Sequence, residues 1–425
     1  MKPSAGNRIL MLLENLPYPH DRRVRREAGA LVAAGYRVTV ICQAQPGQPP
    51  QETVNGVRVY RYPRPLQANG FLGYLWEYTY SMVAAFLLSL RVFCKEGFDL
   101  IHAHNPPDTF VFIAAIYKLF GKRFVFDHHD LSPEMYYARF PQGGSRFVYR
   151  ALVLLEKLSC CLADHLIATN ESYKKVEMER DGVPQTRITV VRNWTDLHLR
   201  TPVEPEQTLL AMRKTIIGYV GVMGYQDGVD YLLRALHHLV HDLGRTDFYC
   251  IIIGTGDAWP GLKVLARQLA LDDYVHFTGL ISDADVLRML TAADICVDPD
   301  PSNPFNDRST MIKMMEYMAL GKPIVAFDLL EHRFTAQGAA LYATPNDERS
   351  FAQAIALLMD DPERRRIMGA LGRRRIELQL SGEIVIPKLL EAYRAVMPEF
   401  HAAAGADVRA PRAQPLAAAG GLHEE

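Results

Sequence analysis

Along the chain, short runs of branched and aromatic residues alternate with longer segments whose apolar positions recur at helical spacing. Residues 8–13 form the first such run and predict a buried strand. Residues 22–34 follow with apolar positions three and four apart, and Gly35 closes them as a helix C-cap. Residues 37–42, 99–103, 123–127, 165–169 and 187–191 continue the strand series, with helical segments between them. Strands that alternate with helices of this length imply parallel βαβ units.

The alternation breaks at residues 195–207, where Thr201-Pro202-Val203-Glu204-Pro205 reads as a linker. It then restarts with strand-like runs at 215–220, 248–253, 275–278, 295–298 and 324–327, a helix at 228–240, and helical segments from Asn346 onward. Two successive series predict two doubly wound domains, residues 1–200 and 212–382. A C-terminal helix is expected at 383–399. A tail at 400–425, rich in Ala and Gly, is expected to be disordered.

Length agrees with this division, because 425 residues exceed one compact core and suit two. The six cysteines include no CxxC pair and sit mostly in apolar runs, as expected in a reducing compartment. No signal peptide is read at the start. The longest apolar stretch, residues 78–93, has 16 residues, short of the roughly 20 that span a bilayer. A cytoplasmic protein is expected. Charge is uneven: residues 1–195 carry 24 Lys and Arg against 17 Asp and Glu, and the remainder 23 against 31. A basic first half suits an anionic lipid surface or a phosphorylated substrate, although two domains can also differ in charge by chance. Residues 75–93 hold Trp76, Tyr78, Tyr80, Phe86 and Phe93. They fit either a core helix or a face that dips into a membrane surface, which implies possible peripheral contact at its inner face.

The richest chemistry lies in residues 306–326, from Asn306 to Ala326. Ser309 or Thr310 is placed to cap a helix running to Leu320, Gly321 ends it, and Pro323 enters a strand. Open amides at such a helix start attract anions. Lys313 and Glu316, three apart, share a face. Together they suit a phosphate and a pair of ribose hydroxyls, and equally an ordinary exposed ion pair. Asp298-Pro299-Asp300 has the look of a metal-binding DxD but reads as a loop stiffened by Pro299 and Pro301. Gly218-x-x-Gly221-x-x-Gly224 lacks the GxGxxG spacing of a dinucleotide site, so close approach of a phosphate to backbone fits it better. His102, His104, His128 and His129 cluster at two strand ends, where a zinc site is a weaker reading because no HxxxH or CxxC frames them.

Glu316-Tyr317-Met318-Ala319-Leu320-Gly321-Lys322-Pro323 resembles the donor-site signature of glycosyltransferase family 4, retaining enzymes of the GT-B fold. Further pieces match in order. Asp21-Arg22-Arg23-Val24-Arg25-Arg26-Glu27-Ala28 resembles the family's first helix. Asp127-His128-His129-Asp130-Leu131-Ser132-Pro133-Glu134 resembles the active-site loop of a bacterial polysaccharide-synthesis branch. Val191-Arg192-Asn193 resembles the hinge, and Gly254-Thr255-Gly256 a strand end of the donor domain.

The resemblance implies two facing Rossmann-like domains, α/β in class, with a cleft between them. It also implies a last helix that crosses back to the first domain. The implied activity is hexosyl transfer without a metal or other cofactor, from a nucleotide sugar, most often UDP-linked. The implied acceptor is a saccharide or a polyprenyl-diphosphate-linked saccharide, as in exopolysaccharide synthesis; no nucleic acid is expected. His129, Asp307 and Lys313 are the implied catalytic residues. Glu316, Arg308, Ser309, Thr310, Met311, Gly221 and Gly256 are the implied donor-binding set. His104, Asn105, His128 and Glu134 are placed toward the acceptor.

Two positions depart from the family pattern. Arg308 stands where the first of two glutamates is usual, and Asp227 where a lysine is usual. A branch with Asn-Asp-x-Ser-Thr-x-x-Lys before the glutamate fits this chain, so Lys313 and Arg308 are expected to supply the positive charge. A GT-B nucleotide-sugar 2-epimerase, a non-catalytic nucleotide-sugar-binding subunit and a nicotinamide-dependent dehydrogenase remain the alternatives.

Overall fold

The computed structural model describes residues 6–65, 70–140, 143–195 and 202–398. The expected tail at 400–425 and part of the linker lie outside the described residues. The described residues divide into two compact units, those up to Asn193 with the segment from Gly382, and Trp194–Ser381.

The first unit contains β1 (Arg8–Leu12), β2 (Arg37–Gln43), β3 (Gln51–Val54), β4 (Val57–Tyr62), β5 (Leu100–His104), β6 (Arg123–His128), β7 (His165–Ala168) and β8 (Ile188–Val190). They form one sheet in the order β3-β4-β2-β1-β5-β6-β7-β8. All pairings are parallel except β3 with β4. Every residue of β5 and β7 is buried, as expected of strands covered on both faces. The last helix, Gly382–Val396, packs on β7, β8 and the first helix, Arg22–Ala33. Its Tyr393 hydroxyl lies 2.6 Å from His102 Nδ1, and its ring touches Tyr36.

The second unit contains β9 (Thr215–Val220), β10 (Phe248–Ile253), β11 (Val275–Gly279), β12 (Ile295–Asp298), β13 (Ile324–Phe327) and β14 (Ala340–Ala343). The order is β11-β10-β9-β12-β13-β14, all parallel. Alternate residues feed two cores. Ile217, Ile252 and Val325 face one cluster, and Ile216, Ile251 and Ile324 face the other. In both sheets the strand order reverses once, beside β1 and β5 and beside β9 and β12. Open sheets of this kind bind ligands at the carboxyl ends of the strands flanking such a reversal.

Three differences from the sequence reading have physical causes. The β3–β4 hairpin was unread, although Asn55-Gly56 takes positive φ at both positions (50° and 81°), the turn a two-residue hairpin requires. β14 is four residues and too short to stand out. The helix Ile312–Ala319 begins later than expected, with Met311 at its N-cap and no side-chain cap. A 3-10 turn at Asn306–Arg308 precedes it, and Ser309 and Thr310 turn away: Ser309 Oγ donates to the Phe305 carbonyl (2.8 Å) and Thr310 Oγ1 to Glu331 Oε2 (3.3 Å). Among the described residues no helix is long and apolar enough to cross a membrane.

Candidate functional site

At the reversal in the first sheet, β5 and β6 run in register with His104 beside Asp127. His104 Nδ1 lies 3.0 Å from Asp127 Oδ2. Arg23, on the first helix, forks onto the same carboxylate, with Nε and Nη2 each at 2.8 Å, and its Nη2 lies 3.1 Å from Glu27. Its Nη1 donates to the Val191 carbonyl and to Asn193 Oδ1, both at 3.1 Å. Burial opposes the Asp127 charge, but Arg23 and the histidines outweigh it and hold its carboxyl well below the usual range. His129 Nδ1 stands 3.5 Å from Asp127 Oδ2. Burial works against the His129 imidazolium, yet Asp127 raises its pKa above the ordinary value. Burial lowers those of His102 and His104, which favours their neutral forms.

Asn105 holds the loop that carries His129. Its Oδ1 accepts from the backbone N–H groups of His129 (2.8 Å) and Asp130 (3.1 Å). Its Nδ2 donates to Asp108 (3.0 Å) and to the Asp130 carbonyl (2.6 Å). With both ends of the amide engaged, Asn105 positions the loop instead of presenting itself to an acceptor.

His128 and Glu134 depart further from expectation. Strand alternation turns His128 to the opposite face from Asp127. There its Nδ1 lies 3.1 Å from Glu177 and its Nε2 3.5 Å from Glu156, with the ring stacked on Phe126. Glu134 pairs with Arg180, which also pairs with Glu156. Both residues therefore belong to a buried ionic network and not to an acceptor site. The sequence ends this strand at Asp127 and the structure at His128, and the side each histidine faces depends on that end.

At the reversal in the second sheet, the end of β9 and the end of β12 lie side by side. Lys313, on the helix Ile312–Ala319, reaches back to β12: its Nζ is 2.7 Å from Asp300 and 3.2 Å from Asp298. It also lies 5.1 Å from the Tyr219 ring centre. Burial opposes the lysine charge, but the two carboxylates hold its pKa well above the ordinary value. Lys313 is thus not the uncommitted phosphate cation the sequence suggested. Glu316, one turn on, is buried at 3% exposure. Arg308 donates from Nη1 to the Pro304 carbonyl (2.7 Å), and Asp307 is half-buried in the 3-10 turn.

Asp227 is also committed: its carboxylate accepts the Gly224 N–H at 2.8 Å and closes the turn after β9. Asp227→Lys should therefore cost about 1 kcal/mol, a typical value for a lost cap, and lower the midpoint of thermal unfolding by roughly 2–4 °C. An unchanged midpoint in a thermal melt would count against the cap. The glycines have a local cause as well. A Cβ on Gly256 would lie 2.6 Å from the Met223 carbonyl oxygen, and one on Gly254, at φ +128°, only 2.0 Å from that of Gly221. The two loops press together backbone to backbone, which accounts for Gly254 and Gly256 without a phosphate, whereas a Cβ on Gly221 would meet the Tyr219 hydroxyl at 3.0 Å.

Among the described residues, two groups bring metal-type donor atoms within 4.8 Å of one another: Glu27, His102, His104 and Asp127, and Asp298, Asp300 and His332. In the first, the Asp127 oxygens already take the bonds of Arg23 and His104. The sequence marks Asp298-Pro299-Asp300 only as a loop entering the donor site and Arg23 only as part of the first-helix motif, and nothing in it points to His332.

Comparison with known proteins agrees with this layout. Residues 20–194 match the Glycosyl transferase 4-like domain, and residues 214–361 match the Glycosyl transferases group 1 family. An uncharacterized glycosyltransferase of Methanocaldococcus jannaschii is 25% identical over 355 residues, 79% of this chain and 83% of that one. Sucrose-phosphate synthase from Thermosynechococcus elongatus superposes with a TM-score of 0.76 at 20% identity, over 93% of this chain and all of that one. Anabaena HepE in complex with UDP-glucose gives 0.68 at 18% identity, over 90% and 98%. With two family matches covering one unit each, and two parallel-sheet α/β domains that share the GT-B fold of these neighbours, the chain belongs to the glycosyltransferases that join a Glycosyl transferase 4-like domain to a group 1 domain.

Proposed function

We propose that this glycosyltransferase moves a hexose from a UDP-linked donor to a saccharide or polyprenyl-diphosphate-linked saccharide, with retention, in the synthesis of a cell-surface polysaccharide. The observation that carries the donor reading is the placement of Lys313 and buried Glu316 on one helix beside the strand-order reversal of the second sheet. UDP-glucose in the HepE complex supports the choice of nucleotide. Lys313 meets the diphosphate, Glu316 the ribose, and Asp307 and Arg308 border the sugar. His129, whose imidazolium Asp127 favours and whose backbone Asn105 holds, is the first unit's candidate for meeting the acceptor. Fixed charges aimed at the departing diphosphate would lower the barrier.

A screen of nucleotide sugars against the full chain tests the donor. UDP and one UDP-sugar should raise the unfolding temperature, and acceptor should speed UDP release. Glu316→Ala should weaken UDP binding by at least about tenfold, the size of one hydrogen bond to a charged group, with Glu316→Gln as the control of equal volume. Calorimetry showing wild-type affinity in both variants would remove Glu316 from the site.

The membrane part of the proposal rests on an exposed apolar face. Trp76, Val83 and Leu87 on the helix Gly70–Lys95 are exposed, as are Phe112 on the helix Phe110–Lys118 and Leu119 and Phe120 after it. Phe93 packs against Tyr117 and Phe120, so the two helices are neighbours, and Arg91, Lys95 and Arg123 are exposed near their ends. The protein should pellet with vesicles containing phosphatidylserine at low salt and leave them as salt rises. If it stays in the supernatant at low salt, the face is not a membrane surface.

A further inference from the structure

Glu14 stands two residues past β1, one of the strands that flank the reversal of the first sheet. It is only 6% exposed. Its Oε1 accepts from Gln43 Nε2 (2.6 Å) and from Ser81 Oγ (3.3 Å). Its Oε2 takes no bond among the described residues, yet it is not sealed from solvent. Gln43 ends β2 and Tyr62 ends β4, and the two are register partners. The Tyr62 hydroxyl is buried beside Ser81 and Gln43 and makes no well-aligned hydrogen bond among the described residues. Ser81 comes from the helix Gly70–Lys95. The ends of three strands and one helix thus bring four polar side chains together at the edge where open sheets take ligands.

Their own bonds leave capacity over. Burial pushes the Glu14 carboxyl above its usual range, although Ser81 and Gln43 hold it back. With or without a proton, Oε2 keeps a free hydrogen-bonding position, and so does the Tyr62 hydroxyl. Such positions are costly to leave empty away from water. A sugar hydroxyl both donates and accepts, so it meets either state of the carboxyl.

The helix gives this cluster a direction. Residues three and four apart share a helix face, so Trp76, Tyr80, Val83 and Leu87 form one stripe beside Ser81. The Tyr80 ring lies 6.3 Å from that of Tyr62 and 6.0 Å from that of Trp76. Trp76, Val83 and Leu87 are each more than half exposed. An aromatic row therefore leads from the buried polar cluster to an open apolar stripe, and Tyr and Trp suit places with one wet and one apolar end. That layout fits a ligand with a hydroxyl-rich head and an apolar tail.

We propose that Glu14, Gln43, Tyr62 and Ser81 bind the hydroxyls of the acceptor's sugar, and that the acceptor's apolar chain runs over Tyr80 and Trp76. This rests on the lipid-linked acceptor reading above and gives that acceptor its place in the first unit. Glu14 is the specificity-determining member, because its carboxyl is the group with an open position at the sugar.

The test uses the full chain with the methyl and octyl β-glycosides of glucose, galactose and N-acetylglucosamine, the octyl compounds below their micelle concentrations, titrated by saturation-transfer NMR. At least one octyl glycoside should bind saturably and more tightly than its methyl counterpart. Glu14→Gln and Glu14→Ala, each checked for folding by circular dichroism, should weaken it at least about tenfold, the size of one hydrogen bond to a charged group. Trp76→Ala should weaken the octyl glycoside more than the methyl one. The absence of saturable binding of every octyl glycoside by the wild type overturns the subsite, and so does an affinity unchanged in both Glu14 variants. Equal effects of Trp76→Ala on the two glycosides overturn the apolar track. Transfer from UDP-sugars onto the same glycosides is measured separately. Binding that depends on Glu14, with no transfer from any UDP-sugar, keeps the subsite and removes the acceptor reading. Transfer indifferent to Glu14 keeps the acceptor reading and removes the subsite.

Discussion

Arg23→Met should destabilise the first unit by about 3–5 kcal/mol, the usual cost of removing one partner of a buried ion pair. Arg23 is 6% exposed and is the guanidinium that meets both Asp127 and Glu27, each at 0%. Methionine fills much of the volume but leaves both carboxylates without that cation. Burial already pushes the Glu27 pKa well above the usual value even with Arg23 present. In the variant both groups should take up protons. The folded state then binds more protons than the unfolded state, so stability falls as pH rises above the range where the unfolded carboxyls ionise, until the folded groups ionise as well. Urea unfolding at pH 5 and pH 8 reads this directly. A variant within about 1 kcal/mol of wild type, the level of a surface pair, would mean that the cluster is wetter than its burial indicates. Arg23→Lys should recover only part of the loss, because an ammonium cannot fork onto one carboxylate while reaching Val191 and Asn193.

Lys313→Met should lower turnover at least about thirtyfold, the low end of the 2–5 kcal/mol that a truncated buried charge pair costs. The loss has two sources. On the proposed donor reading the diphosphate loses a cation, and Asp298 and Asp300 lose theirs. Arg308→Ala should cost less, because Arg308 sits in the turn before the helix and bonds to the Pro304 carbonyl. Measuring kcat and KM for both variants, at matched folded fraction, ranks them. Near-normal turnover in Lys313→Met would move the phosphate cation elsewhere, to Arg192 or Lys322. Lys322 is a poor substitute on geometry, since its Nζ donates to the carbonyls of Thr291 and Ala293, each at 2.7 Å.

The strands were legible because a parallel sheet covered on both faces must be built from continuous apolar runs. The runs at 215–220, 248–253, 295–298 and 324–327 became β9, β10, β12 and β13 with unchanged ends. The β3–β4 hairpin lies at a sheet edge with mixed burial, so its apolar signal was diluted and only Asn55-Gly56 marked it. Site residues were legible by type and less so by commitment. His128 and His129 are adjacent in sequence, yet alternation sends one into an ionic core and leaves the other beside Asp127. The charges of Lys313 and Asp227 were visible, but their partners were not. Asp300 is 13 positions from Lys313, whereas the Gly224 amide is only three from Asp227. Even that short spacing needs a specific turn to mean a bond. His332 carried no motif at all, and only the fold brings it to Asp298.

The first unit is written in two pieces, with residues 194–381 between them. A ribosome adding about 5–20 residues per second needs roughly 10–40 s to cross that interval. Throughout it, the nascent first unit lacks the helix Gly382–Val396. The faces that Leu389 and Tyr393 later bury stay open, and His102 waits for its hydroxyl partner. The second unit, by contrast, is uninterrupted from Trp194 to Ser381 and can close as it emerges. Synthesis order and completion order are therefore reversed: the half made first is finished last. A premature stop anywhere between the two pieces leaves a first unit without its cover, exposing apolar surface to chaperones and proteases.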